Sequence, residues 1–462
     1  MRKLVKGGTV VTAADSSTAD VLVEDEEIVA VGTLGHVEDA EVIDAAGCYV
    51  LPGLIDNHTH LSMPFGGTVS IDDYDTGTRA AAAGGTTCLV DFVIQQHPDG
   101  LRSSLEEWQG RADGAAHVDY GFHMAITSAD DGSLADMDSI VDDGICTFKV
   151  FLAYKGAIMV TDDQFFRVLE RTRDLGALTM VHAENGWAID VLVERALAAG
   201  QTDPIYHAHT RPEELEAEAT GRAVRFAELT GAGVYIVHVT CGLAAGEIAA
   251  GQSRGVAVSG ETCLQYLTNT VEDLERPDFE GARYVCSPPL REKHNQELLW
   301  AALRRGVLES VSTDHCPFNS EQKALGRDDF SKIPNGLAMI QHRLVKLWDL
   351  GVEGGRITPS ELVDLTSTAI ARRFGLARKG SIAPGMDADL VVFDPATPFE
   401  FSTRTSHMNV DYDLFEGETS TGSVRHTLCR GTMVYDRGEI ATQPGHGRFV
   451  PRSLGAPAAV AT

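Results

Sequence analysis

Apolar positions along this chain follow two rhythms. Between residues 1 and 50, short β-rich runs at 4–6, 8–11, 20–23 and 28–31 alternate with Gly and Asp, the texture of a small β module. From Leu51 the rhythm lengthens. Runs at 49–55, 86–92, 118–126, 147–152, 178–182, 234–239, 256–259 and 308–312 are each followed by a polar or Ala-rich stretch, such as 104–111, 163–174, 212–229 and 295–304. Eight strand-then-helix units predict an α/β chain folded as a (β/α)8 barrel. No Gly-x-Gly-x-x-Gly fingerprint speaks for an open doubly wound sheet.

After Leu376 the β texture returns, at 388–394, 424–427 and 432–435. The simplest arrangement pairs these runs with the N-terminal ones, so that both chain ends build one small β-sandwich domain. The expected division is 1–50 for its first part, 51–375 for the barrel, 376–440 for its second part, and 441–462 for a tail. The small-residue segment 455–459 is expected to be loosely held.

A barrel places its chemistry at the C-terminal ends of its strands. The first run leads into Asp56, Asn57, His58, Thr59 and His60. Residues two apart on an extended chain share a side, so both imidazoles can grip one ion. The fourth run carries Lys149, the fifth ends at His182, the sixth reaches His238, and the eighth leads to Asp314. Alone, each has an ordinary reading: a satisfied polar histidine, an aspartate capping a turn, a lysine whose burial is costly. Together, at one end of different strands, they predict a metal centre. His36, His97, His117, His207, His209, His294, His342, His407, His426 and His446 sit in polar or helical contexts and are expected at the surface or in packing. His123 lies within a strand with no ligand argument, and His315 is expected to face away from Asp314.

Charge narrows the partners. Against 67 acidic residues stand 38 Lys and Arg, a net −29, which disfavours nucleic acid and anionic membrane surfaces. No apolar run approaches the ~18 residues of a membrane span. The basic N-terminus has no apolar segment after it, and the eight cysteines are widely spaced without a Cys-x-x-Cys pair. These features predict a cytoplasmic protein with reduced thiols.

Longer motifs sharpen the reading. The stretch 56–68, from Asp56 through His58, His60, Ser62, Pro64 and Gly67 to Thr68, resembles the cyclic amidohydrolases of the dihydropyrimidinase and D-hydantoinase group. So do 84–87, 151–155, 260–263, 287–291, 313–319 and 333–336, which spread the resemblance over nearly the whole chain. It implies two divalent metal ions, usually zinc, one held by His58, His60 and Asp314 and the other by His182 and His238. Lys149 would be an N6-carboxylysine joining them. Asp314 would carry the catalytic proton, and Tyr154 would donate to the developing oxyanion. Ser287 and Asn335 would read the cyclic ureide through their backbones. Leu61, Met63, Phe65 and Leu152 would form the apolar pocket for the ring carbon. Ile158 stands where the group often carries an aromatic residue, which bears on the size of the 5-substituent.

The implied reaction opens dihydropyrimidines and 5-monosubstituted hydantoins to N-carbamoyl amino acids, in a homotetramer. Dihydroorotases resemble the chain less, because their arginine two residues after the second histidine is here Ser62. An allantoinase-type hydrolase is the alternative; the loop 63–66 has the dihydropyrimidinase and hydantoinase style. A non-catalytic scaffold of the same lineage would have lost ligands, whereas all six positions are present.

Overall fold

A computed structural model describes residues 1–96 and 100–454. Its centre is a parallel eight-stranded sheet in sequence order. The strands are β1 (Leu54–Thr59), β2 (Thr86–Ile94), β3 (Asp119–Ala125), β4 (Thr147–Phe151), β5 (Leu178–His182), β6 (Val234–Ile236), β7 (Val258–Cys263) and β8 (Ser310–Ser312). The two edges meet just beyond the last strand, where Thr59 pairs with His315 and His60 N–H donates to His315 O at 2.8 Å. Every residue of β1 to β5 is buried, as strands packed on both faces must be.

The intervening helices follow from periodicity. Helix Asp162–Leu175 buries Phe165, Val168, Leu169 and Thr172, an i, i+3, i+4, i+7 stripe turned to the sheet. Gln164 reaches back to the Thr161 N–H at 3.1 Å at its start, and left-handed Gly176 ends it. Among the described residues, no helix is long and apolar enough to cross a membrane.

The run expected as one strand at 49–55 is two. Tyr49–Pro52 pairs antiparallel with Leu390–Asp394 and parallel with Arg2–Val11, inside a nine-stranded sheet made by both chain ends. Only after Gly53 does the chain enter the barrel. Gly53 has no room for a side chain, since a Cβ there would lie 2.1 Å from Thr87 Oγ1. Its N–H goes to Asp389 O at 2.8 Å. The small domain has its own apolar core, including Val5, Val21, Ile28, Val50, Leu390 and Leu428.

Buried charge joins the two parts. Lys379 Nζ lies 2.8 Å from both Asp389 of the small domain and Asp119 of β3, and 3.1 Å from Asp387. Arg430 also bonds Asp119. The region expected as a tail is anchored over its described length. Tyr120 N–H donates to Arg448 O at 3.0 Å, Val450 N–H to Tyr120 O at 2.7 Å, and buried Arg452 bonds Phe122 O and Thr147 Oγ1. Segment 455–459 and His97 lie outside the described residues.

Candidate metal centre

Six strand-end side chains converge at one end of the barrel. His58 Nε2 and His60 Nε2 each lie 3.1 Å from Asp314 Oδ1. Lys149 Nζ lies 3.0 Å from His58 Nε2, and His182 Nδ1 lies 2.8 Å from His238 Nε2. The two halves of the set touch, with the rings of His58 and His238 stacked at 5.4 Å. The backbone is bent to achieve this. Ser62, Tyr154, His238 and Asp314 all have left-handed φ, between 42° and 67°, which non-glycine residues adopt at a cost.

Acidic residues behind the ligands fix their orientation. Glu261 of β7 accepts from His58 Nδ1 at 2.5 Å, from Asn57 Nδ2, and from Tyr235 Oη at 3.2 Å. His58 therefore turns its Nε2 lone pair toward Asp314 and Lys149. His182 donates from Nε2 to Glu184 at 2.8 Å and presents Nδ1 to the centre. Sequence reasoning gave neither glutamate a role. Both stand two residues past an apolar run, at 178–182 and 256–259, and the signal in each case was only an acidic residue close to a strand end. His315 turns away to Asp72, 2.9 Å off, and accepts from the Met339 N–H. His123 bridges Asn57 O and Thr147 Oγ1 beneath the centre.

Beside the ligands opens a small pocket. Met63, Phe65 and Ile158 line it, with Tyr154, Ser287 and Asn335 among the polar groups. Ile94, Phe151 and Cys316 line it too and were not anticipated. Leu61 and Leu152 do not line it. Leu61 is packed against Gly77, where a Cβ would lie 2.4 Å from its methyl, and Leu152 is buried with its N–H on His182 O. Both are apolar because they are core, a property that does not tell one buried space from another. Tyr154 meets Phe65 edge-on at 5.4 Å and the His182 ring at 5.3 Å. Asn335 Nδ2 donates to Ser287 Oγ at 3.0 Å. Behind them, His207 Nε2 lies 2.9 Å from Cys286 O and 3.0 Å from Ser287 Oγ, so this packing histidine supports the pocket wall.

The electrostatics suit a cation. Burial holds the imidazoles of His58, His60 and His238 below their ordinary pKa, so they are neutral donors. Burial also draws Lys149 down to about 8. For Asp314 burial works upward, but His58, His60 and Lys149 outweigh it and bring the carboxyl to about 2. The ligand atoms of His58, His60 and Asp314 all lie within 4.8 Å of one another. Among the described residues, His60 Nδ1 and His238 Nδ1, on the ring edges opposite the Nε2 atoms that meet the centre, are buried without a hydrogen-bond partner. Neutral imidazoles turned toward one ionised carboxylate fit a bound divalent metal.

The amidohydrolase family profile matches residues 49–434. The chain is 50% identical to a protein named D-hydantoinase from Geobacillus stearothermophilus, over 98% of this chain and 97% of that one. It is 48% identical to another of that name from Streptomyces coelicolor, over 98% of both. The crystal structure of dihydropyrimidinase from Brevibacillus agri NCHU1002 superposes with a TM-score of 0.97 at 51% identity, covering 98% of this chain and 99% of that one.

Proposed function

This chain belongs to the amidohydrolase family, and from that premise we propose that it opens dihydropyrimidines and 5-monosubstituted hydantoins to N-carbamoyl amino acids. It is a cyclic amidohydrolase. The observation that carries the substrate reading is the cavity wall. One pocket is lined by Lys149, His60, His182, His238 and Asp314, by apolar Met63, Phe65 and Ile158, and by Tyr154, Ser287 and Asn335. No arginine stands two residues after His60 to hold a substrate carboxylate, since that position is Ser62.

His58, His60 and Asp314 would hold one divalent ion and His182 and His238 a second, with zinc as the ion in both places. Lys149 would give an oxygen to each as N6-carboxylysine. Its nitrogen, deprotonated readily at a pKa near 8, bonds the carbon of CO2 and releases one proton, which turns a costly buried ammonium into an anion. When bound, the metal pair supplies Lewis acidity that brings a water's pKa toward neutrality and polarises a carbonyl.

The chain's own groups do the rest. Asp314 would accept the proton of the attacking water and return it to the ring nitrogen as the C–N bond breaks. Burial pushes the Tyr154 phenol up, so it stays protonated and donates to the carbonyl oxygen as charge builds there. Ser287 and Asn335 present backbone groups to the alternating carbonyl and N–H edge of the ring. Met63, Phe65 and Ile158 receive the ring carbon and its substituent.

The test is a substrate panel of dihydrouracil, hydantoin, 5-benzylhydantoin, allantoin and dihydroorotate, with chiral analysis of the product and metal counted per chain. Turnover of the first three is expected. Turnover of allantoin or dihydroorotate alone overturns the proposal. Fewer than one bound ion per chain after metal-replete purification removes the two-ion centre. A cytoplasmic homotetramer is the assembly this reading carries, and sedimentation at working concentration checks it.

A further inference from the structure

We infer that Lys323 is a positioning residue for substrate binding, its ammonium tying together the two loops whose backbones face the cyclic ureide. The inference rests on the reading of Ser287 and Asn335 given above. Lys323 ends the short helix Ser320–Lys323, in the chain that follows Asp314. It is 1% exposed, and its Nζ donates to Val285 O at 2.9 Å, Pro334 O at 2.7 Å and Gly336 O at 2.9 Å. These acceptors are all backbone carbonyls. Three donors on three converging acceptors use an ammonium completely and leave it one position.

The carbonyls belong to the residues that bracket the pocket groups. Val285 stands two before Ser287, while Pro334 and Gly336 flank Asn335. The same two segments meet twice more, by Gly336 N–H on Val285 O at 3.0 Å and by Asn335 Nδ2 on Ser287 Oγ at 3.0 Å. Gly336 is pressed against the loop after β8, where a Cβ would lie 2.2 Å from Cys316 O. Its φ of +147° suits glycine alone. Lys323 thus fixes, from outside the cavity, how far apart the two ring-reading edges stand. Without it three buried carbonyls lose their shared donor, and the substrate must order the loops on arrival. That ordering cost enters binding. Lys323 hydrogen-bonds none of the six candidate metal ligands, so metal content and the chemical step are spared.

The test uses the full-length, metal-loaded enzyme with dihydrouracil and hydantoin. Lys323→Met removes the donors and keeps the stem; Lys323→Gln keeps two donors on a shorter one. Lys323→Met is expected to raise KM by about tenfold or more, with kcat within about threefold of the parent. Metal per chain is expected to stay unchanged, and Lys323→Gln to fall between. Phe165→Leu, in an outer helix, serves as a reference that lowers the thermal midpoint without moving KM. An unchanged KM in Lys323→Met overturns the inference, as does a kcat loss at constant KM or an equal KM rise in Phe165→Leu. Should Lys323→Met fail to fold, Lys323→Gln is judged by the same criteria. A parent enzyme that turns over neither substrate overturns the functional reading instead.

Discussion

Glu261 Oε1 lies 2.5 Å from His58 Nδ1, while Asp314 Oδ1 lies 3.1 Å from the same ring's Nε2. One imidazole is held between two carboxylates with opposite tasks. Glu261 sets the tautomer, and Asp314 shares the face offered to metal. Glu261→Gln keeps the volume but loses the strong acceptor. Metal affinity is expected to fall about 10- to 100-fold, read by competition with a chelator. Unchanged affinity would show that the tautomer is set elsewhere.

Lys149→Ala removes the group proposed to join the two ions. The variant is expected to lose metal and activity together, and added acetate or formate to restore part of both. Full activity without additive would remove Lys149 from the centre.

Tyr154→Phe deletes one hydroxyl from the pocket that Ser287 and Asn335 also line and leaves the ring against Phe65. A donor used in the transition state should cost kcat by about 10²- to 10³-fold with little change in KM. A pure KM effect would make Tyr154 a packing aromatic.

Lys379 sits among Asp119, Asp387 and Asp389 where barrel and small domain meet. Lys379→Met leaves Arg430 on Asp119 and Arg378 on Asp387 but takes the cation from buried Asp389, and is expected to destabilise by ~3 kcal/mol, measured by denaturant unfolding. Burial works to lower the Lys379 pKa, but Asp389 foremost, then Cys429, Cys88 and Asp387, raise it well above its ordinary value. The sign follows from linkage: the folded state holds this proton more tightly than the unfolded chain. The contribution is fully present below the unfolded lysine value of about 10.4 and is lost as pH climbs through the raised one. The gap between parent and variant should be constant from neutral pH to about pH 10 and shrink above it.

The site was legible because five of the eight apolar runs carry, or lead into, a polar residue that apolar packing does not call for. His58, Lys149, His182, His238 and Asp314 announce themselves by that contrast. The break at Gly53 was not legible, since the residues on both sides are buried and a change of sheet leaves no mark on hydrophobicity. Leu61 and Leu152 show the same limit. His207 and Lys323 depend on partners 80 and 38 or fewer residues away, reached only once the loops are folded. The two glutamates lie just past their apolar runs, where polar residues are ordinary, so nothing in the pattern marked them as buried.

The small domain is closed by strands from opposite ends of the chain, Leu390–Asp394 lying against Tyr49–Pro52. On a ribosome, the early strand therefore waits for the late one. At about 5–20 residues per second the delay is on the order of tens of seconds, with one apolar edge of Tyr49–Pro52 unpaired throughout. A chain broken off before Leu390 never covers that edge, however well its barrel strands have formed. The last strands to be synthesised are thus the ones that protect the first from aggregation.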